Sequence, residues 1–240
     1  MTRSFLLSVL VFCVLVATAH GMGSKETKAR SSDQAEMELL MQIAKQTRTS
    51  RSVDGILTID GHPAIGESDA DIVLIEFSDF QCAFCRRHLN LVMPDLVREF
   101  IETGKVEYAF SDFPVEERHP QAKQAAIAAR CAHDQDKYWE MRQRLYISSA
   151  MLQEPDLFEH ANTVGLDIEE FDACLKSGQY DNAIRHDQSD GTKLRVRGTP
   201  TFFLGRRLPG GDQVRVERSI VGQQPIEVFR EHIYALAEAN

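Results

Sequence analysis

The sequence predicts an α/β domain interrupted by a helical insertion and preceded by an N-terminal helical extension. Three observations carry this reading. The run Ile72-Val73-Leu74-Ile75-Glu76-Phe77 is β-branched and apolar except at Glu76, the mark of a strand covered on both faces. A helical repeat and a second strand pattern, Val106 to Phe110, follow it and complete a βαβ unit. Strand signals then stop from residue 115 to about 190 and return at Gly198-Thr199-Pro200-Thr201-Phe202-Phe203-Leu204-Gly205. A chain of 240 residues, 43% hydrophobic, suffices for one generous domain carrying such an insertion.

Residues 1–19 read as a signal peptide, with Arg3 in the n-region, an apolar stretch from Phe5 to Val16, and Ala17-Thr18-Ala19 as the small-x-small site. The stretch is shorter than the ~20 residues of a spanning helix, so cleavage is favoured over the alternative of a membrane anchor. Bulky Phe12 before Cys13 argues against a lipoprotein signal. A periplasmic or other extracytoplasmic location is therefore expected. Residues 20–50 read as a linker and an amphipathic helix, on which Met37, Leu40, Met41 and Ala44 share a face. That face suits either packing on the domain or a homodimer.

Residues 51–114 form the first part of the α/β domain. After the cysteines, Leu89, Val92, Met93, Leu96, Val97 and Phe100 recur at helical spacing, with a kink expected at Pro94 and a stop at Gly104. The insertion, residues 115–190, holds several short helices. Their signals are the alanine-rich segment from Pro120 to Ala132, a Tyr138/Met141/Leu145 stripe, a Leu157/Ala161/Val164 stripe ending at Gly165, and Asp167 capping Ile168/Phe171/Leu175 before Gly178. Asp167 with Glu170 resembles a capping box. Residues 191–240 return to the domain, with the strand from Gly198, a turn at Pro209-Gly210-Gly211, Val214/Val216 alternation and a last helix from Pro225 to Ala237.

A net charge of −9 opposes a phosphate-tracking surface, so nucleic acid is not an expected partner. Once Cys13 leaves with the signal, four cysteines remain in a disulfide-permissive compartment. They allow three connectivities, and the short Cys82/Cys85 spacing beside a helix start favours Cys82–Cys85 with Cys131–Cys174 as a structural bridge.

FSDFQCAFC carries the chemistry. Cys82 sits at a helix N-terminus, where unpaired N–H groups and the positive end of the dipole favour a thiolate. Cys85, one turn on, is placed to resolve a mixed disulfide. Glu76, six residues before Cys82, is a carboxyl in a buried strand; such a group should have a raised pKa and could exchange a proton with Cys85. The alternative is a water-facing or edge carboxylate with a salt-bridge partner. Thr199-Pro200, opening an apolar strand, is a candidate cis bond beside which an extended substrate could pair.

With VLIEFSDFQCAFC, ARCAHDQDKYWEM, FDACLKSG and GTPTFFLG in this order, the chain from about residue 55 to its end resembles the DsbA-like branch of the thioredoxin superfamily. The resemblance implies a thioredoxin fold with an inserted helical domain and an extracytoplasmic thiol–disulfide oxidoreductase without a cofactor. It also implies Cys82 as the exposed nucleophile, Cys85 as the resolving thiol and Pro200 as the cis-proline facing them. Exported client proteins with cysteines are the implied substrates, gripped at Thr199, Pro200 and Phe84. The implied membrane partner is DsbB-like for an oxidase or DsbD-like for an isomerase. Two departures bear on direction. Ala83-Phe84 replaces the Pro-His dipeptide of the strong oxidases, which implies a milder oxidant, and Thr199 is the choice of family isomerases and reductases.

Other readings are weaker. Cys82, Cys85 and His88 form a C-x2-C-x2-H string, but three ligands in one turn without a distant fourth make a poor zinc site, and His88 is expected as a surface histidine. His119 and His133 are expected to be solvated or capping. A silent client-holding protein would use an apolar groove near Phe80 and Phe84, and a copper-binding protein would use the cysteine pair; intact Cys82 and Cys85 argue against the first.

Overall fold

The computed structural model describes residues 50–239; the expected signal peptide and nearly all of the 20–50 segment, with its dimerisation face, lie outside them. Six strands form one mixed sheet: β1 (Ser50–Thr58), β2 (Ala64–Ile65), β3 (Ile72–Ser78), β4 (Val106–Asp112), β5 (Thr201–Arg207) and β6 (Gln213–Val221), in the order β1-β6-β5-β3-β4-β2. β3 and β4 pair in parallel, and the other neighbours are antiparallel. The parallel pair requires a crossover, supplied by α1 (Ala83–Leu91), α2 (Met93–Leu96) and a π-helical turn, Val97–Ile101. The break falls at Val92, ahead of Pro94, because a proline that lacks an N–H is tolerated in the first turn of a new helix.

β3 is central and wholly buried, so its alternate residues feed two cores. Ile72 and Leu74 join Val106, Tyr108, Phe202 and Leu204 under α2 and the last helix, α8 (Ile226–Glu238). Val73, Ile75 and Phe77 join Phe203, Val214, Val216 and Val196 on the other face. Gly205 is required where the β5–β6 register shifts, since a Cβ there would lie 2.1 Å from the Arg215 carbonyl oxygen.

Between β4 and β5 run five helices: α3 (Ala122–His133), α4 (Tyr138–Ile147), α5 (Glu154–Val164), α6 (Ile168–Ser177) and α7 (Asp181–Lys193). Buried alanines 125, 126, 128, 129 and 132 let α3 serve as their axis. Asp167 caps α6 by accepting from the N–H groups of Glu169 and Glu170. The reciprocal box is formed one helix earlier, by Gln153 and Asp156 at the start of α5. Gly165 and Gly178 end α5 and α6 with φ of 79° and 70°. A buried charge cluster ties this helical block to the sheet: Arg130 donates to Asp112 and Asp187 at 2.6 Å each, and Asp187 also meets His62 at 3.0 Å.

Candidate active site

β3 ends at Ser78, and a tight turn carries the chain into α1. Asp79, buried, pins that turn: its Oδ1 accepts from Gln81 N at 2.8 Å, and its Oδ2 accepts from Val115 N at 2.8 Å and lies 2.9 Å from His119 Nδ1. The cysteine turn is thus fixed to the entrance of the helical block. Asp79 is not among the residues the sequence singles out, although Asp in a strand-to-helix turn is itself a capping signal, and His119, expected to be solvated or capping, pairs with it.

Cys82 takes the N-cap of α1 with extended backbone, φ −73° and ψ 119°. Its Sγ lies 3.2 Å from the Thr199 carbonyl oxygen, and the Thr199–Pro200 bond is cis. This loop covers the sulfur, so Cys82 is only 6% exposed, against the expectation of an exposed nucleophile. Its thiol falls from 9.0 to about 6, chiefly through a hydrogen bond from Cys85. The Thr199 side chain and the N–H groups of Cys85 and Phe84 add to this, against burial. Cys85 is fully buried and pushed well above 9.0 by burial, then by the adjacent Cys82 and by Glu76. Both thiols are free. One sulfur that ionises readily thus lies beside one that holds its proton.

Glu76 is fully buried rather than water-facing or at an edge, and it has a salt-bridge partner. Ser78 Oγ donates to its Oε1 at 2.6 Å, the Tyr108 hydroxyl donates to Oε2, and Arg142 Nη2 donates to Oε2 at 3.1 Å. Arg142 comes from α4 and lies 5.0 to 5.6 Å from the ring centres of Tyr108, Phe110, Trp139 and Tyr146. Ser78, Tyr108, Arg142 and Tyr146 were not singled out from sequence. Only the spacing of Ser78, two residues beyond Glu76 on the same strand face, could have signalled one of them.

Phe84 is 55% exposed beside the pair and is available to a bound chain. Phe80 is not: it is buried, 5.0 Å from the Tyr146 ring and 5.6 Å from Phe110, so it cannot line a client groove. His88 corrects another expectation. It is fully buried, with ring centres 4.5 Å from Phe202 and 5.4 Å from Phe229, and burial lowers it to about 4. One turn beyond Cys85, it shares the inward face of α1. Cys131 and Cys174 are bonded, joining α3 to α6 with Cα atoms 5.8 Å apart.

A family model described as Thioredoxin matches residues 58–214. The "Probable disulfide bond formation protein D" of Bacillus anthracis is 30% identical over 164 residues, covering 65% of this chain and 76% of that protein. The "Na(+)/H(+) antiporter NhaA 1" of Mycobacterium sp. (strain KMS) is 34% identical over 148 residues, 60% of this chain but 24% of that protein; the chain thus spans about a quarter of this relative's length. Among solved structures, oxidised BdbD from Bacillus subtilis superposes with a TM-score of 0.63 at 22% identity, covering 77% of this chain and 97% of that one. Chlamydia trachomatis DsbA gives 0.63 at 18%, with coverage of 76% and 93%.

Proposed function

Because the chain belongs to the DsbA-like branch of the thioredoxin superfamily, we propose that it is an extracytoplasmic thiol–disulfide oxidoreductase that introduces disulfides into exported proteins through Cys82 and Cys85. The observation that carries the reading is the asymmetry of the pair: a readily ionised sulfur at a helix N-terminus beside a buried, protonated one. A client thiolate attacks Cys82 of the oxidised pair, the Cys82–Cys85 bond breaks, and Cys85 takes up a proton. A second client thiolate then attacks the client sulfur of the mixed disulfide, which leaves an oxidised client and the dithiol. Exposed Phe84 and the backbone beside Thr199–Pro200 hold the client chain in this reading. A membrane partner of the DsbB type would restore the disulfide. With a DsbD-type reductant the same residues would instead shuffle wrong disulfides, the direction favoured by Thr199.

The test equilibrates the protein with glutathione buffers and then offers the oxidised form to a reduced peptide with two cysteines. Oxidase function predicts a potential less negative than about −200 mV and transfer of one disulfide. A value near that of thioredoxin, about −270 mV, would reverse the direction. Full activity in Cys82→Ser would refute the reading altogether.

A further inference from the structure

The face of the sheet opposite α1 opens into a cleft beside the cis bond. In register, Thr201 of β5 lies opposite Val221 of β6, and Phe203 lies opposite Ser219, which in turn lies opposite Arg51 of β1. Side chains alternate along a strand, so these point away from Phe202 and Ile220, which pack under α8. The end of α7 forms the far wall: Leu194 rests on β1, where a Cβ at Gly55 would lie 2.8 Å from its Cδ2. The cleft so enclosed has a volume of about 380 Å³. Its charge runs against a chain of net charge −9, because Arg51, Lys193 and Arg195 line it with a single carboxylate, Asp54. Lys193 is paired with Asp190 at 2.8 Å, whereas Arg51 and Arg195, both exposed, have no ion pair among the described residues. Arg195 follows α7 with φ 61°, a left-handed conformation that glycine adopts freely and arginine does not. On the floor, Ser219 is 5% exposed, and its hydroxyl has no hydrogen bond among the described residues.

We propose that this cleft is a subsite for an acidic side chain of the client, close in sequence to the cysteine that Cys82 engages. The proposal deepens the oxidoreductase reading and rests on it. Distance permits it. The Thr199 carbonyl oxygen is 3.2 Å from Cys82 Sγ, and Thr201, which edges the cleft, is two residues further along a chain that rises about 3.3 Å per residue. The cleft therefore begins no more than about 10 Å from the sulfur, a distance that an extended client covers in about three residues. A carboxylate entering it can be held by the forked donors of Arg51 or Arg195, with the Ser219 hydroxyl as a further donor. Apolar Leu194 and Phe203 flank the site, and the lower local dielectric strengthens the attraction over that of an open surface. A neutral client gains none of this and a basic one is repelled, so the cleft sorts clients by charge.

The oxidised full chain is offered three reduced peptides, each with two cysteines and differing only in the residues that flank the first cysteine on both sides: serines, glutamates or lysines. Each rate of oxidation is divided by that peptide's rate with a small neutral disulfide, which removes differences between the thiols themselves. At low ionic strength the glutamate peptide should exceed the serine peptide by about 10-fold, the lower end of electrostatic steering, and the lysine peptide should fall below it. At about 1 M salt, where the screening length is about 3 Å, the glutamate-to-serine ratio should approach unity. The double variant Arg51→Gln/Arg195→Gly should bring the low-salt ratio to unity as well. Both side chains are exposed and glycine suits the left-handed backbone at 195, so the variant folds. A wild-type ratio near unity at low salt overturns the subsite, whether the cleft takes no anion or one from elsewhere in this chain. A ratio that survives the double variant overturns it too. Failure of the wild-type protein to oxidise any of the three peptides would instead overturn the oxidoreductase reading.

Discussion

Replacing Cys85 tests what holds the Cys82 thiolate. Its hydrogen bond is the largest cause of the fall from 9.0 to about 6, ahead of the Thr199 side chain and the backbone N–H groups of Cys85 and Phe84. A hydrogen bond to a charged group nets about 1.5–3 kcal/mol, and one pKa unit is about 1.4 kcal/mol. Cys85→Ala should therefore raise the Cys82 midpoint by about 1–2 units, short of full return because the helix N-terminus and Thr199 remain. At neutral pH the thiolate fraction drops from about 0.9 to about 0.1–0.5, and alkylation slows in proportion. Cys85→Ser keeps an O–H donor and should hold the midpoint near the wild-type value. Thiolate absorbance in the ultraviolet and alkylation rate against pH both read the midpoint. A Cys85→Ala protein still titrating at about 6 would show that the helix end alone is sufficient, and the reasoning would fail.

Two further outcomes concern the frame around the site. The Cys131–Cys174 bridge closes a separation of 43 residues, worth about 4 kcal/mol on the loop-entropy model, so Cys131→Ala/Cys174→Ala should lose about that much in urea unfolding; a loss under 1 kcal/mol would exclude that model here. Burial lifts Asp112 from 3.8 to about 6, against the pull of Arg130, so the folded state holds that proton more tightly than the unfolded chain. Its contribution to stability is full below about pH 4 and is lost as pH rises through about 6. Asp112→Asn should flatten the stability profile across that window, and an unchanged slope would reject the assignment.

The βαβ unit around the cysteines was legible because a wholly buried strand and a helical repeat leave opposite periodicities, and no other element competes for them. β1 was not legible. Its sequence, SRSVDGILT, is polar and carries Asp54-Gly55, which reads as a turn, yet an edge strand needs only one paired side and absorbs the irregularity as a bulge between Ser52 and Gly55. His88 was misread because its residue type was weighed above its position. Three residues beyond Cys85, it belongs to the buried face whatever its polarity. The cis bond before Pro200 was a candidate from its place alone, whereas the Thr199 carbonyl beside Cys82 comes from two strands that meet only in the fold.

Glu76 marks the limit of sequence reasoning most clearly. A carboxyl inside an apolar strand seemed to require a choice between burial and an ion pair, since Arg86 and Arg87, the nearest cations in sequence, lie beyond the cysteines on α1. The fold removes the choice by bringing Arg142 from α4, 66 residues away, and Tyr146 one turn further along the same helix. The helical block therefore does more than cover the cysteines, because it provides the cation that pairs with Glu76 and the hydroxyl that positions Ser78. Arg130 crosses the same seam to Asp112, so two buried charge pairs join the helices to the sheet. Breaking one such pair by removing a partner costs about 3–5 kcal/mol, against a total stability of about 5–15 kcal/mol for a domain. Excising the helices would strand both carboxylates at once, so the strands and the insertion must fold as one unit, and the redox chemistry proposed for the cysteines depends on both.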